Sequence, residues 1–566
     1  MAECSLESWS PALVTRTSGD DKVVVSGIDN VSYERTVTDP GDTPCYRFSH
    51  DRFKKEPVAG SELKAPVQCS RNGENKADGV RQGSPHPVQA IEQDGKDPRD
   101  ADEERQTINY TWQIAATVVL SLIHLSIGTV YGYPGVMLPE LTNPNTTDIY
   151  LDPNEAALFG SLTNLGGAFG AVLGGVFLVR LGQRATLLVG LPLTTAAWLG
   201  LAFADLVWLI QALRFVLGVT TGFAAPATGL YILEISHKKS RGVFFGVLGT
   251  VRQMGFLFVY ALGSTTLGWR NVSLVCAGVT LVPFVALFYL PNAPRWLVTQ
   301  GRVEEAEKSL VFFRGKRYDS TPELKAITDQ VGQKAEQNNG FITQIQLMLE
   351  PATLKTLALL IAVSVLSSLS GYIIVTTFTV PILQSTQADL NAYVSTIIVG
   401  AVRVGGTLVH LAVVDRIGRK PLLVSSYILG TLCVAGLGGY FYIQNTSGDA
   451  SHLGWLPLTS MVVLIFCMGI GQPVVSIVQG ELLPTAVRAS GVSLILILMF
   501  LAGFVLVQTF PLLSGALGEH GAFWIYSGAS FAVVVGGLCL PETRGRSLEE
   551  ISGRRVRRAS LSPSLA

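Results

Sequence analysis

From Thr111 onward the chain is almost continuously apolar, in runs long enough to cross a hydrocarbon layer and broken only by short polar stretches. A bilayer core of about 30 Å needs roughly 20 residues of helix, since a helix rises about 1.5 Å per residue and satisfies its own backbone polar groups. Twelve such runs are expected, over 112–138, 156–179, 185–203, 206–233, 242–263 and 269–290, then 353–383, 391–414, 420–443, 456–482, 488–513 and 520–541. The spacing predicts an all-α membrane protein of twelve transmembrane helices in two six-helix bundles. Between the two sets, residues 291–352 are polar with helical periodicity, as in VEEAEK from Val303 to Lys308, and read as surface helices.

Composition agrees: 48% of the residues are hydrophobic, only 15% are charged, and there are 58 glycines. Charge is concentrated at the start, where 34 of the 84 Lys, Arg, Asp and Glu residues precede Gln106. Residues 1–105 therefore read as a disordered cytoplasmic tail, too polar to offset the entropy of ordering. The expected organisation continues with an N-terminal bundle over 106–290, cytoplasmic linker helices over 291–352, a C-terminal bundle over 353–541 and a second tail over 542–566. Met1 to Pro11 lacks a basic segment followed by an apolar run, so the first span is expected to act as the targeting signal. Cys4, Cys45 and Cys69 lie in the tail, and Cys276, Cys433, Cys467 and Cys539 in apolar stretches, a distribution that gives neither a disulfide framework nor a metal-binding spacing.

Basic residues near span ends stay on the cytoplasmic side. Arg180 and Arg184, Lys238, Lys239 and Arg241, Arg295 and Arg302, Arg416, Arg419 and Lys420, Arg488, and Arg544 and Arg546 fall in alternate loops. Both termini are thus expected in the cytoplasm, in a multi-pass protein of the plasma membrane, with sequons at Asn145 and Asn445 in outer loops as candidate glycosylation sites. The halves also repeat. Arg180 to Arg184 (RLGQR) corresponds to Arg416 to Lys420 (RIGRK), and Glu234 and Arg241 share a Glu-x6-Arg spacing with Glu481 and Arg488.

These junctions resemble the sugar-porter family of the major facilitator superfamily. The matching pieces are Arg214-Phe215 with Gly218, Glu234 with Arg241 and Gly242, PNAPRWL over 291–297, DRIGRK over 415–420, GELLP over 480–484 and PETRGR over 541–546. Within the family the pattern looks most like the arthropod facilitated trehalose transporters. The resemblance implies the major facilitator fold, with two bundles rocking around a midplane site while cytoplasmic ion pairs hold one arrangement. It assigns Arg184, Glu234 and Arg241 to the N-terminal gating network and Arg416, Arg419, Glu481 and Arg488 to the C-terminal one. The N-terminal loop departs from the pattern, with Val179 in place of aspartate and Gln183 in place of arginine, which implies weaker pairs in that half.

The substrate positions depart further. Amides suit neutral hydroxyls because they both donate and accept, and the resemblance places paired glutamines at Ser367 and Ser368 and an asparagine at Ile373. Thr250 lies near a usual glutamine position, Ser476 replaces a tryptophan, and Met499 and Phe500 replace Asn-Trp. Candidate solute contacts are therefore Thr250, Arg252, Gln253, Ser367, Ser368, Arg403 and Ser476. Arg252 and Arg403 lie deep in apolar runs, where an arginine costs about 2.5 to 3.5 kcal/mol on insertion scales and usually faces a cavity or a partner. They suggest a cavity suited to an anionic or strongly polar solute; the alternative is that each sits in a satisfied structural pocket. His124 and His410 are candidate protonatable groups, but no carboxylate is expected at mid-span, which favours facilitated diffusion over symport.

The expected function is transport of a small polar solute, a hexose or trehalose, with an organic anion as the alternative substrate and a non-transporting nutrient receptor as the alternative role. Enzyme motifs are not found: no nucleophile elbow, metal cluster or phosphate loop. No cofactor, no metal and no nucleic-acid partner are expected, only the solute and the lipid bilayer, and the protein is expected to be monomeric. Arg557 to Ser560 (RRAS) resembles a basic-directed phosphorylation site.

Overall fold

The computed structural model describes residues 109–145, 149–237, 240–336, 341–386, 391–448, 450–484 and 486–544. The expectations for the tails before 106 and after 544, and for Lys238 and Lys239, lie outside these residues. Among the described residues, ten helices are long and apolar enough to cross a membrane. In the first half they are α1 (Thr111–Leu141), α2 (Pro153–Phe203), α3 (Val207–Ile235), α4 (Arg241–Gly263) and α5 (Trp269–Leu287). Four short helices follow, α6 (Pro294–Thr299), α7 (Val303–Arg314), α8 (Thr321–Glu336) and α9 (Phe341–Leu349). The second half has α10 (Pro351–Ser368), the short α11 (Tyr372–Thr377) and α12 (Thr379–Gln384), then α13 (Ala392–Ile417), α14 (Arg419–Ser447), α15 (Trp455–Leu482) and α16 (Arg488–Cys539).

Ten helices give twelve crossings because two are double. At about 1.5 Å per residue, the 51 residues of α2 would run to more than twice the thickness of a bilayer core if straight. The helix instead turns at Gly182, whose φ of 81° and ψ of 170° are open only to glycine, and α16 turns in the same way at Gly518. Gly418, between α13 and α14, has the same conformation and is the repeat equivalent of Gly182. A side chain at Gly182 would also strike the Trp296 indole at 2.6 Å, so the turn and the α6 contact demand the same residue.

Local chemistry starts and joins these elements. Asp152 and Glu155 form a reciprocal capping box at the start of α2, each carboxylate accepting the other's backbone N–H at 2.7 and 3.0 Å. The first leg of α2 and α3 meet through Gly166 and Gly170 facing Gly218 and Gly222. A Cβ at any of the four would lie 2.1 to 2.4 Å from a carbonyl oxygen of the other helix. This is the small-residue packing that lipid-embedded helices use in place of a hydrophobic drive.

Asn445 differs from its expected loop position. It lies exposed in the last turn of α14, where Thr446 donates to the Tyr442 carbonyl at 2.8 Å, because the helix continues to Ser447 before the left-handed Gly448 ends it.

Candidate functional site

The halves face each other through α2 with α16 and α4 with α13, and between them lies a cavity of about 300 Å³. Small-molecule sites typically span about 300 to 1,000 Å³, so this one suits a small solute. Its lining comes from α1 to α4 of the first half and from α10, α11, α13, α15 and α16 of the second. Of the seven candidate contacts, Arg252, Gln253, Ser368, Arg403 and Ser476 line it. Thr250 and Ser367 do not. The Thr250 hydroxyl bonds back to the Gly246 carbonyl at 3.2 Å, and the Ser367 hydroxyl meets the Tyr427 hydroxyl at 2.5 Å and accepts from Gln472 Nε2 at 2.8 Å. Adjacent helical residues point about 100° apart, so the wall that holds Ser368 turns Ser367 into the second bundle.

The expected loss of amides concerns α10, and other helices supply them. Asn164 of α2, Gln253 of α4 and Gln472 of α15 all line the cavity, so the amides come from helices other than α10. Sequence reasoning missed Asn164, Gln472 and the cavity-lining Tyr131, Tyr372 and Arg214. The available signal was an uncapped polar side chain inside an apolar span, as in Gln472 before Pro473. The helix α10 itself ends beside the cavity because Gly371, at φ 86°, is left-handed, and the chain restarts as α11.

Three arginines contribute to the lining. Arg403 donates Nε to Gln253 Oε1 at 2.7 Å and Nη1 to Thr376 Oγ1 at 3.1 Å, with its guanidinium 4.0 Å from the Phe256 ring centroid. Arg214 is fully buried, donates to the Phe159 and Val130 carbonyls at 3.2 and 3.1 Å, and lies against the Phe159 and Tyr133 rings. Its Nη2 has no partner among the described residues. Arg252 makes no hydrogen bond among the described residues, and Tyr131 and Tyr372 share the lining with it. No aspartate or glutamate is among the lining residues. Neither His124 nor His410 reaches the cavity; His124 Nε2 pairs with Thr228 Oγ1 at 2.8 Å.

Polar contacts between the halves lie at mid-depth or toward the face opposite α6 to α9. Tyr260 donates to the Thr376 carbonyl at 3.3 Å and meets Thr379 Oγ1 at 3.4 Å, and Ser161 donates to Gln508 at 2.9 Å. Gly160 and Gly135 bring α2 and α1 against Thr377 and Thr376, closing that face. On the linker face, the described ion pairs and hydrogen bonds each stay within one half or involve the linker. Glu481 pairs with Arg419 at 3.2 Å, and Arg419 also meets Asp415 at 3.2 Å. Glu234 instead accepts from Gln183 Nε2 at 2.8 Å. Gln183 and Arg419 are repeat equivalents, so the N-terminal site carries a neutral partner where the C-terminal one carries a cation.

The remaining gating candidates are placed differently. Arg184 donates to the Leu287 and Phe288 carbonyls, at 3.2 and 2.9 Å, and its equivalent Lys420 to the Leu538 carbonyl at 2.6 Å. Arg488 donates to the Leu483 carbonyl at 3.2 Å. Arg241 and Arg416 are exposed and pair with no carboxylate among the described residues. Arg184, Lys420 and Arg488 thus satisfy backbone carbonyls and not the carboxylate at the span end. Glu542, outside the networks expected, accepts the backbone N–H groups of Arg419 and Lys420 at 3.1 and 3.0 Å and so caps α14. Burial would raise its carboxyl, but four backbone N–H bonds outweigh that and hold it below the usual range.

Two six-helix halves around a central cavity, with repeated charge sites at one end, make this a polytopic membrane protein of duplicated architecture. The chain belongs to the sugar (and other) transporter family, whose model matches residues 115–553. It is 34% identical over 500 residues to the facilitated trehalose transporter Tret1 of Drosophila mojavensis, covering 86% of this chain and 57% of that protein. Over 505 residues it is 33% identical to Tret1 of Polypedilum vanderplanki, covering 86% of this chain and 97% of that one. The proton:xylose symporter XylE bound to 6-bromo-6-deoxy-D-glucose shares the fold, with a TM-score of 0.64 at 21% identity over 79% of this chain and 99% of its own. The inward-open form of the E. coli xylose transporter XylE gives a TM-score of 0.65 at 21% identity, over 78% and 99%. The fold is that of the major facilitator superfamily.

Proposed function

We propose that this protein moves a small polyhydroxylated solute of the sugar class, a hexose or trehalose, by alternating access and without ion coupling. The observation that carries the reading is the cavity at the junction of the halves, lined by amides and hydroxyls and closed on one face only. Asn164, Gln253, Gln472, Ser368 and Ser476 offer paired donors and acceptors without the desolvation cost of a bound charge on the protein side. The trehalose named for the relatives above supports the substrate class. The absence of a carboxylate from the lining supports facilitation, since no acid there can relay a proton.

The finer assignments rest on sequence pattern. The basic loops support cytoplasmic termini, and exposed Asn145 and Asn445 on the opposite side support a plasma-membrane route. The protein acts as a monomer, because one chain encloses the whole cavity. Purified protein in proteoliposomes, given radiolabelled glucose and trehalose at two external pH values, tests the reading. Saturable uptake of one of them, indifferent to a proton gradient, is expected. Gradient-driven accumulation overturns facilitation, and binding without uptake overturns transport in favour of a receptor.

A further inference from the structure

We infer that the preferred solute of this cavity carries a negative charge: a small hydroxylated carboxylate, the acid form of a sugar, whose carboxylate lies between Arg252 and Arg403. The inference rests on the reading that this cavity is the solute site, and it sharpens the substrate class. Arg252 comes from α4 of the first half and Arg403 from α13 of the second, and both line the cavity. The neighbours of Arg403 are an amide, a hydroxyl and an aromatic ring, none of them charged, and Arg252 makes no hydrogen bond among the described residues. Arg214 also lines the cavity, fully buried and bonded to the Phe159 and Val130 carbonyls, and no carboxylate is in the lining among the described residues.

A lipid-embedded site with this much positive charge and no counter-charge is incomplete by itself. Neutral hydroxyls solvate a guanidinium weakly, whereas a carboxylate matches its fork with two charge-assisted bonds and relieves the repulsion between the two cations. Asn164, Gln472 and Ser476, on the same lining, remain for the hydroxyls. Because the arginines belong to different halves, an anion held by both also pulls α4 and α13 together, so charge recognition and closure share one contact.

The test uses the full chain in lipid nanodiscs and equilibrium binding of radiolabelled D-glucuronate and D-glucose, in gluconate-free buffer with and without chloride. Without chloride, glucuronate is expected to bind about tenfold or more tightly than glucose, equivalent to about 1.4 kcal/mol. Arg252→Gln and Arg403→Gln should each remove most of that preference, lowering glucuronate affinity by about tenfold more than glucose affinity, as loss of a charge contact requires. Equal or tighter binding of glucose overturns the inference, as does an unchanged preference in both variants. Chloride protecting the protein against heat while glucuronate adds nothing overturns it too, and makes the arginines a small-ion site. Should Arg403→Gln fail to fold, Arg252→Gln decides, since Arg252 holds no structural hydrogen bond. Uptake in proteoliposomes separates the two readings: glucose moving without glucuronate sinks the charge claim alone, and glucuronate bound but never moved sinks transport alone.

Discussion

Gln183 and Arg419 occupy the same place in the two repeats and meet the same kind of partner, Glu234 and Glu481, yet one contact is a neutral hydrogen bond and the other an ion pair. The consequence is an asymmetry in what each carboxylate contributes. Removing the Glu481 charge leaves Arg419, 17% exposed, with the exposed Asp415, the Val414 carbonyl at 3.4 Å and a buried Nε that has no partner among the described residues. Glu481→Gln is therefore expected to cost about 1 to 3 kcal/mol, while Glu234→Gln keeps an amide bond to Gln183 and should cost less than about 1 kcal/mol. Thermal unfolding of both variants in detergent measures the difference, and equal losses would show that the two sites are equivalent despite Gln183. This asymmetry was legible in the sequence, because the RLGQR and RIGRK repeat aligns Gln183 with Arg419 while the Glu-x6-Arg repeat aligns Glu234 with Glu481. The partition of Ser367 and Ser368 was not. A span that is apolar on every face gives no phase, and one residue of helix decides between cavity and bundle core. Asn164 and Gln472 were missed for a related reason: the amides were sought where the family pattern has them, while the fold gathers Asn164, Gln253 and Gln472 from three helices other than α10.

At the scale of elements, the linker is bolted to the first half by one buried cation. Arg314, at the end of α7 and 1% exposed, pairs with Glu323 of α8 at 2.8 Å and donates to the Ile235 carbonyl at the end of α3. The Arg314 carbonyl in turn accepts Asn109 N, just before α1, at 2.9 Å, and Gln113 of α1 donates to the neighbouring Phe313 carbonyl at 3.0 Å. Burial alone would raise the Glu323 carboxyl, but the Arg314 bonds and charge, the Tyr318 hydroxyl and His237 outweigh it and hold it below its ordinary value of 4.5. A carboxyl lowered on folding gives stability that is present above its unfolded pKa and is lost as pH falls through the folded one. Wild-type thermal stability should thus fall below about pH 4.5, and Glu323→Gln should flatten that arm of the profile. At pH 7 the same variant is expected to cost roughly 3 kcal/mol, since it strands a buried guanidinium. A steep acid arm retained in the variant would assign the fall to other carboxylates. The short helices of this region follow from the 3.6-residue pattern of a polar stretch, but Arg314 reads in sequence as a surface charge, and only packing reveals it as an anchor. The two sharp turns were legible: Gly182 and Gly518, both non-helical, fall in the gaps between the expected spans 156–179 and 185–203 and between 488–513 and 520–541.

For the whole molecule, the decisive feature is that closure on the face opposite the linker is made by close backbone approach. Tyr260 spans from α4 to Thr376, and Gly160 allows α2 to lie against α11, where a Cβ would come within 2.5 Å of Thr377 Cγ2. A contact that tight exists in only one of the two arrangements that alternating access requires, so a side chain there penalises one state and not the other. Overpacking of this kind costs about 1 to 3 kcal/mol, which moves a two-state population by roughly five- to 150-fold. Gly160→Val should therefore favour the arrangement open on that face; Gly160 lines the cavity beside Thr377, so solute affinity is measured together with uptake. The expected result is uptake in proteoliposomes reduced by about the same factor, with solute affinity changed far less. A cysteine placed at Thr377 on the Gly160→Val background should react faster with a membrane-impermeant thiol reagent than the same cysteine in an otherwise wild-type chain. Unchanged reactivity together with lost uptake would mean that the substitution damages the bundle and that this contact is packing, whereas faster reactivity with uptake reduced identifies it as the closing surface of the cycle.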